Sequence, residues 1–450
     1  MPLPPGPALP RILQTILFGW VPQRFLLSNR ARFGPAFTIR LTGRDMILFS
    51  APEAVRQIFS DPEQRLRMSD YNRIVEPIVE SESLLLLDDA RHEHQRKLLM
   101  ESFRRSRLQA LFGPMEAICT DHLSRLRPGQ RITAFDLYER ITLEVILGVL
   151  LGPQSPDALA RLRSTMEPVT NMSLFLLLIP ALRRDLGPLS PGRRFIRGRA
   201  RLSAALNELI AERRAALERG DSPPGMLTEL VAIRDEQGQP MSDLTLRSVM
   251  MSVIVAGHET TAAALAWGLI FLLNDAEAAG RLEAELDSVT SPEELSELPW
   301  LDAVCREALR ISPIFPAVPR TTREPQQIGG HALPGGVEVS CCAYFSHRDP
   351  QVFEEPERFN PERFLNKKYS PYSYYPFGGG SRMCIGWAFG LGQMKVLLAA
   401  TMRQMKLKAL DSRPQAGQWR QITWIPRRGG RVEVLGPRDP SSDPAKQQFD

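Results

Sequence analysis

From Ser248 to Leu273 the chain reads "SVMMSVIVAGHETTAAALAWGLIFLL", and its strongly polar side chains are His258, Glu259, Thr260 and Thr261. Twenty-six residues of this kind are long enough to cross a bilayer. A carboxylate at mid-membrane, however, costs about 2.5–3.5 kcal/mol even on permissive scales. Both flanks read as soluble, so we read the segment as a long helix through the middle of a large soluble protein. Such a helix is apolar on every side because it is buried on every side.

That helix demands a shell, and the rest of the chain supplies one. Apolar residues recur at helical spacing through most of residues 50 to 310, while strand-like stretches are few: "AFTIRL", "DMILFS", "GVEVSC" and "RVEVL". The fold class this predicts is mainly α with small β-sheets at the margins. One domain over residues 1–435 is expected, with a proline-rich extended arm at 1–30 and a loose tail at 436–450. The composition is 43% hydrophobic and 24% charged, with a net charge of +5, which is globular and gives no reason to expect nucleic acid as a partner. The N-terminal apolar stretch is broken by Arg11, Gln14, Pro22 and Arg24, so neither a signal peptide nor a membrane anchor is expected.

Five cysteines stand at Cys119, Cys305, Cys341, Cys342 and Cys384, with no two-residue spacing between any pair. That scatter favours a reducing, cytoplasmic setting. Cys384 is placed unlike the others, in "FGGGSRMCIG", among four glycines and two residues after Arg382. The helical pattern of "IGWAFGLGQMKVLL" puts it at a helix N-terminus, where amides and dipole are expected to lower its pKa. A phosphate loop would end in Gly-Lys-Ser/Thr, a nucleophile needs a base, and zinc or iron–sulfur sites need several thiolates. A haem needs one protein ligand, since the porphyrin supplies four nitrogens. An inert cysteine in a glycine turn remains open at this level, as does a hydrogen-bonded kink for Glu259.

"FGGGSRMCIG" resembles the haem loop of the cytochrome P450 family, Phe-x-x-Gly-x-Arg-x-Cys-x-Gly, with Phe377, Gly380, Arg382, Cys384 and Gly386 at the fixed positions. "AGHETT" (Ala256–Thr261) is similar to the family's oxygen-activation motif, "EALR" supplies Glu307 and Arg310, and "FNPERF" supplies Arg363. "HEHQR" gives His92 and Arg96, and "PAVPR" ends in Arg320. The motifs stand in the family's order. The resemblance implies haem b between the central helix and the cysteine loop, with Cys384 as axial ligand. It implies His92, Arg96, Arg320 and Arg382 as partners of the propionates, and Ala256, Phe377 and Gly386 beside the ring. Glu307, Arg310 and Arg363 are implied as a buried ionic cluster.

The implied reaction is monooxygenation, with Glu259 and Thr260 handling protons. Electrons would come from a separate ferredoxin or flavodoxin docking near Arg96, Lys97, Arg104 and Arg105, with Lys367, Lys368 and Lys395 adding charge near the cysteine loop. Val255, Ala256, Pro316, Val318, Ile422 and Thr423 are expected to face a lipophilic substrate such as a terpenoid, steroid, fatty acyl chain or macrolide-like ring. The apolar segment "MEPVTNMSLFLLLIPAL" is expected in the lid region. A monomer is expected. The alternatives are a peroxygenase, isomerase or oxidative-coupling enzyme on the same fold, or a ligand-binding protein without turnover.

Overall fold

The computed structural model describes residues 1–61, 63–103, 109–152, 162–166, 169, 180–187, 190–235, 237–412, 414 and 416–438. The expected tail beyond 438, Arg104, Arg105 and most of the lid segment lie outside the described residues. Nine helices place the site: α1 (Arg11–Trp20), α2 (Pro22–Phe33), α3 (Pro52–Phe59), α4 (Asp89–Met100), α5 (Ala134–Leu151), α6 (Pro191–Glu218), α7 (Asp243–Leu273), α8 (Pro299–Ile311) and α9 (Trp387–Gln404).

The central apolar run is α7, helical from Asp243 to Leu273 without interruption. Ser242 starts it by accepting the Thr245 amide, and Asp243 in the first turn suits the dipole. Every residue from Thr261 to Leu272 is buried. Trp267 donates to the Trp424 carbonyl at 2.9 Å and stacks on Phe271, which stacks in turn on Phe359. At about 1.5–3 kcal/mol per large apolar side chain, this burial accounts for the long hydrophobic stretch without any bilayer. Helix α5 lies against it closely: a Cβ on Gly257 would come within 2.8 Å of Ile146 Cδ1. Thr142 of α5 also donates to the His258 carbonyl at 2.9 Å.

One five-stranded sheet flanks the helices: β1 (Ala36–Leu41), β2 (Arg44–Phe49), β3 (Leu66–Arg67), β4 (Val318–Thr322) and β5 (Glu338–Cys341), in the order β1-β2-β5-β4-β3. The β2–β5 pair is parallel and the others antiparallel. Arg320 is set by this register, opposite Val339. The expected arm is corrected: only the first ten residues are extended, tied to β1 through the Thr38 amide and the Pro5 carbonyl. Residues 11–33 form two helices, since after Pro10 no proline recurs until Pro22, at the first position of α2 where its missing N–H is harmless.

Candidate active site

The cysteine loop is closed by the Cys384 amide, which donates to the Phe377 carbonyl at 2.9 Å, and by the Met383 amide to the Gly380 carbonyl. Gly378 and Gly380 take positive φ, at 70° and 67°. The glycines do not serve only to make room for a flat ligand. A Cβ on Gly379 would meet the Phe59 ring at 2.3 Å, and one on Gly380 the Phe59 carbonyl oxygen at 2.0 Å. The loop is stripped of side chains because the end of α3 packs directly on it.

Cys384 precedes α9, and the Gly386 amide bonds its sulfur. Burial nevertheless pushes its thiol up, against the pull of that amide and of Arg96. The expected lowering by the helix terminus is therefore outweighed in the protein alone. Desolvation of a thiolate costs more than one amide and one half-buried guanidinium return. Of the five cysteines, Cys384 alone has open surface; the other four are buried. On α7, Ala256 is the one exposed residue between Leu246 and Leu272, with Val255, Gly257 and Thr260 partly open beside it. Helices α7 and α9 pack against each other in one core, and Cys384 lies just before the start of α9.

His92 and the three guanidiniums of Arg96, Arg320 and Arg382 form one cluster. His92 is buried on α4 and pushed down to about 4, by burial first and then by Arg382, Arg96 and Arg320. Arg320 is 4% exposed and donates to Met68 Sδ and its own neighbour's carbonyl, with no carboxylate in ion-pair reach among the described residues. Arg96 lies near enough to Cys384 to feel its charge, also without an ion pair among the described residues. Arg382 donates to the Leu87 carbonyl at 2.6 Å and pairs with Asp88. Asp88 is thus a site residue that motif matching missed, although the acidic pair in "LLLLDDARHEHQR" directly precedes the His92 helix. The remaining acids here are engaged elsewhere: Asp61 by the Arg65 and Leu66 amides, Asp89 by Arg323, Glu93 by Gln64.

This arrangement fits a haem. Buried Arg320 and half-buried Arg96, neither with a carboxylate partner among the described residues, suit a ligand bearing two carboxylates, and an accessible sulfur among otherwise buried cysteines suits a single bond to its iron. His92, Arg96, Arg320 and Arg382 would hold the acids and Cys384 the iron.

Thr260 Oγ1 donates to the Ala256 carbonyl at 2.5 Å, so the hydroxyl is satisfied within the helix and does not break it. Glu259 faces the other way. Its Oε1 accepts the Thr423 hydroxyl at 2.6 Å, and burial pushes its carboxyl up while Thr423 and Arg420 pull it down. Thr423 is 2% exposed, its hydroxyl shared between Glu259 and the Arg420 carbonyl, and it does not form open pocket wall as expected. Pro316 is likewise buried, whereas Val318 and Ile422 are partly open, and the neighbouring Phe315 is 40% exposed. Lys395 is also corrected: it is buried, bonded to Asp302 at 2.8 Å, and offers no surface charge.

Glu307 and Arg310 on α8 are both 0% exposed and joined by two bonds of 2.7 and 2.8 Å. Glu307 also accepts from Arg363 Nε at 3.1 Å and the Asn360 amide at 2.8 Å, while Arg310 donates to the carbonyls of His347, Pro356 and Arg358. His347 joins this network, accepting the Tyr375 amide at 2.9 Å. Burial, Arg310 and Arg348 together push His347 down to about 3. In the unfolded chain it titrates near 6.5. Acidification from about pH 6.5 towards 3 therefore protonates the unfolded state first, and this contribution to native stability is lost as the pH falls. Thermal unfolding across that range should show the decline, and His347→Asn should flatten it; an equally steep profile in the variant would count against His347.

Comparison with known proteins agrees with the geometry. The sequence profile described as "Cytochrome P450" matches residues 3–429. Cytochrome P450 135B1 of Mycobacterium tuberculosis is 31% identical over 449 residues, covering 98% of this chain and 93% of that one. Cytochrome P450 135A1 of the same organism is 29% identical, with 97% and 96% covered. Among solved structures, a retinoic acid-bound cyanobacterial CYP120A1 superposes with a TM-score of 0.81 at 26% identity, covering 96% of this chain and 99% of that one. A cytochrome P450DA haem domain gives 0.85 at 22% identity, covering 98% and 99%. The chain belongs to the cytochrome P450 family, oxidoreductases that bind haem b and act as monooxygenases.

Proposed function

We propose that this enzyme inserts one atom of O₂ into a lipophilic small molecule, drawing electrons from a separate ferredoxin or flavodoxin. The observation that carries the reading is an open Cys384 together with Ala256, the one exposed residue between Leu246 and Leu272 on the central helix, and the partly open Thr260 one turn on. The haem, when bound, supplies the oxygen chemistry, and a thiolate ligand favours O–O cleavage. The chain's part is to hold that group, exclude water and move protons.

Glu259 is suited to the last task. Its carboxyl keeps a proton to higher pH than an exposed carboxylate does, and Thr423 leads from it towards the partly exposed Arg420–Glu139 pair. Delivering a proton to the Thr260 side requires the carboxylate to leave Thr423, so we read that hydrogen bond as the resting position of the relay. Thr260 carries the hydroxyl one turn on from Ala256 and serves as the local donor.

The apolar wall at Val255, Ala256, Val318 and Ile422 supports a lipophilic substrate, as does the retinoic acid held by one structural neighbour. Lys97, Lys367 and Lys368 are exposed and remain candidates for docking an acidic electron donor, together with Arg96. Thr260→Ala is expected to bind haem normally yet consume reductant without matching product. Product formed per NAD(P)H oxidised, measured with a reconstituted donor, tests this; an unchanged ratio would remove Thr260 from the mechanism.

A further inference from the structure

Helix α1 half-buries Leu17 and Phe18 against the core beside Gln14, and leaves its other four large apolar side chains outside with Arg11 and Thr15. Gln14 is fully buried, its amide donating to the Pro7 and Leu9 carbonyls at 3.2 and 2.7 Å and its oxygen accepting the Arg40 amide at 2.9 Å. Ile12, Ile16 and Trp20, one turn apart, are 68%, 47% and 86% exposed, and Leu13 lies beside them at 40%. A helix resting on a soluble domain shows water the opposite face. Helix α2 continues the surface with exposed Leu27 flanked by exposed Arg24 and Arg32, neither of which has a carboxylate partner among the described residues.

The charge around this apolar stripe has one sign. The first 44 residues hold six arginines and no aspartate or glutamate. Arg11 is paired with Asp45 and Arg44 with Glu338, which leaves Arg24, Arg30, Arg32 and Arg40 without ion pairs among the described residues. A second copy of the chain would bring two cationic faces together, and an acidic protein partner would leave Trp20 and Ile16 poorly matched. An anionic lipid surface matches both components, taking apolar side chains at the headgroup boundary and arginines at its phosphates. Ten residues are too few to span a bilayer, so the helix would lie in the interface plane.

We propose that the exposed face of α1 and α2 is a monotopic docking surface for an anionic membrane, independent of what the enzyme oxidises. The test is sedimentation of the haem-loaded full-length chain with vesicles of phosphatidylcholine alone or mixed with phosphatidylglycerol. Pelleting is expected with the anionic vesicles, far less with the neutral ones, and less again as salt rises. Ile16→Ser with Trp20→Ser should abolish it, and Arg24→Ala with Arg32→Ala should weaken it about fivefold per arginine. Both variants should keep the carbon monoxide spectrum and melting temperature of the parent. No pelleting with either lipid would overturn the proposal, as would equal pelleting of the parent and both variants. So would a dimer of the parent, seen by light scattering without vesicles, that the Ile16/Trp20 variant loses.

Discussion

Cys384→Ser should leave a folded protein that has lost both the thiolate signature of the reduced carbon monoxide complex and its monooxygenase activity, the latter falling to background. The side chain itself carries little structure: it is open on one side and its sulfur accepts one amide, from Gly386. The loop is held by backbone bonds from residues 378, 383 and 384, which serine keeps. No other thiol can substitute. Cys119, Cys305, Cys341 and Cys342 are all buried, and only Cys384 has open surface. Circular dichroism separates misfolding from lost ligation. Retention of the thiolate spectrum in a folded Cys384→Ser protein would show that the iron is bound elsewhere.

Glu307→Gln is expected to cause the largest loss of stability available from one side chain, about 3–5 kcal/mol. The substitution keeps the volume but removes the anion that two guanidiniums share in a site with no solvent contact. Arg310 would then stand buried among three carbonyls with no compensating charge. Native proteins have only about 5–15 kcal/mol in reserve, so a weakened variant would lose cofactor and expression together. Arg363→Ala should cost less, because Arg363 makes one bond of 3.1 Å to Glu307, while Arg310 makes two shorter ones. Denaturant unfolding of the two variants beside the parent checks the ranking. A Glu307→Gln midpoint indistinguishable from the parent's would mean that the cluster contributes no net stability.

Much of the site was legible in the chain because its chemistry requires rare residues at fixed spacing. A lone cysteine in a glycine-rich turn, an acid–alcohol pair inside an apolar helix, and Glu-x-x-Arg on one helix face each survive without knowledge of contacts. The apolar run of residues 248–273 likewise pointed to a buried axis, since Glu259 in its middle disfavours the bilayer that could otherwise shield it. What escaped was set by partners distant in sequence. Phe59 explains Gly379 and Gly380 across more than three hundred residues, Asp88 meets Arg382 across a similar gap, and Thr423 hydrogen-bonds Glu259. Lys395 reads as a surface cation until Asp302 is seen beside it.

The order of motifs, the candidate haem ligand and the helical class were therefore legible locally, by residue type and spacing. Tertiary structure decided which charges are paired, which hydroxyls are free and which faces meet water. Ion pairing and burial depend on distance in space, and a chain folded on a core brings together groups that its own order keeps apart. Helix α1 shows the difference most plainly. Its composition is unremarkable, and only its seating against β1 turns Gln14 inward and leaves Ile12, Ile16 and Trp20 outside.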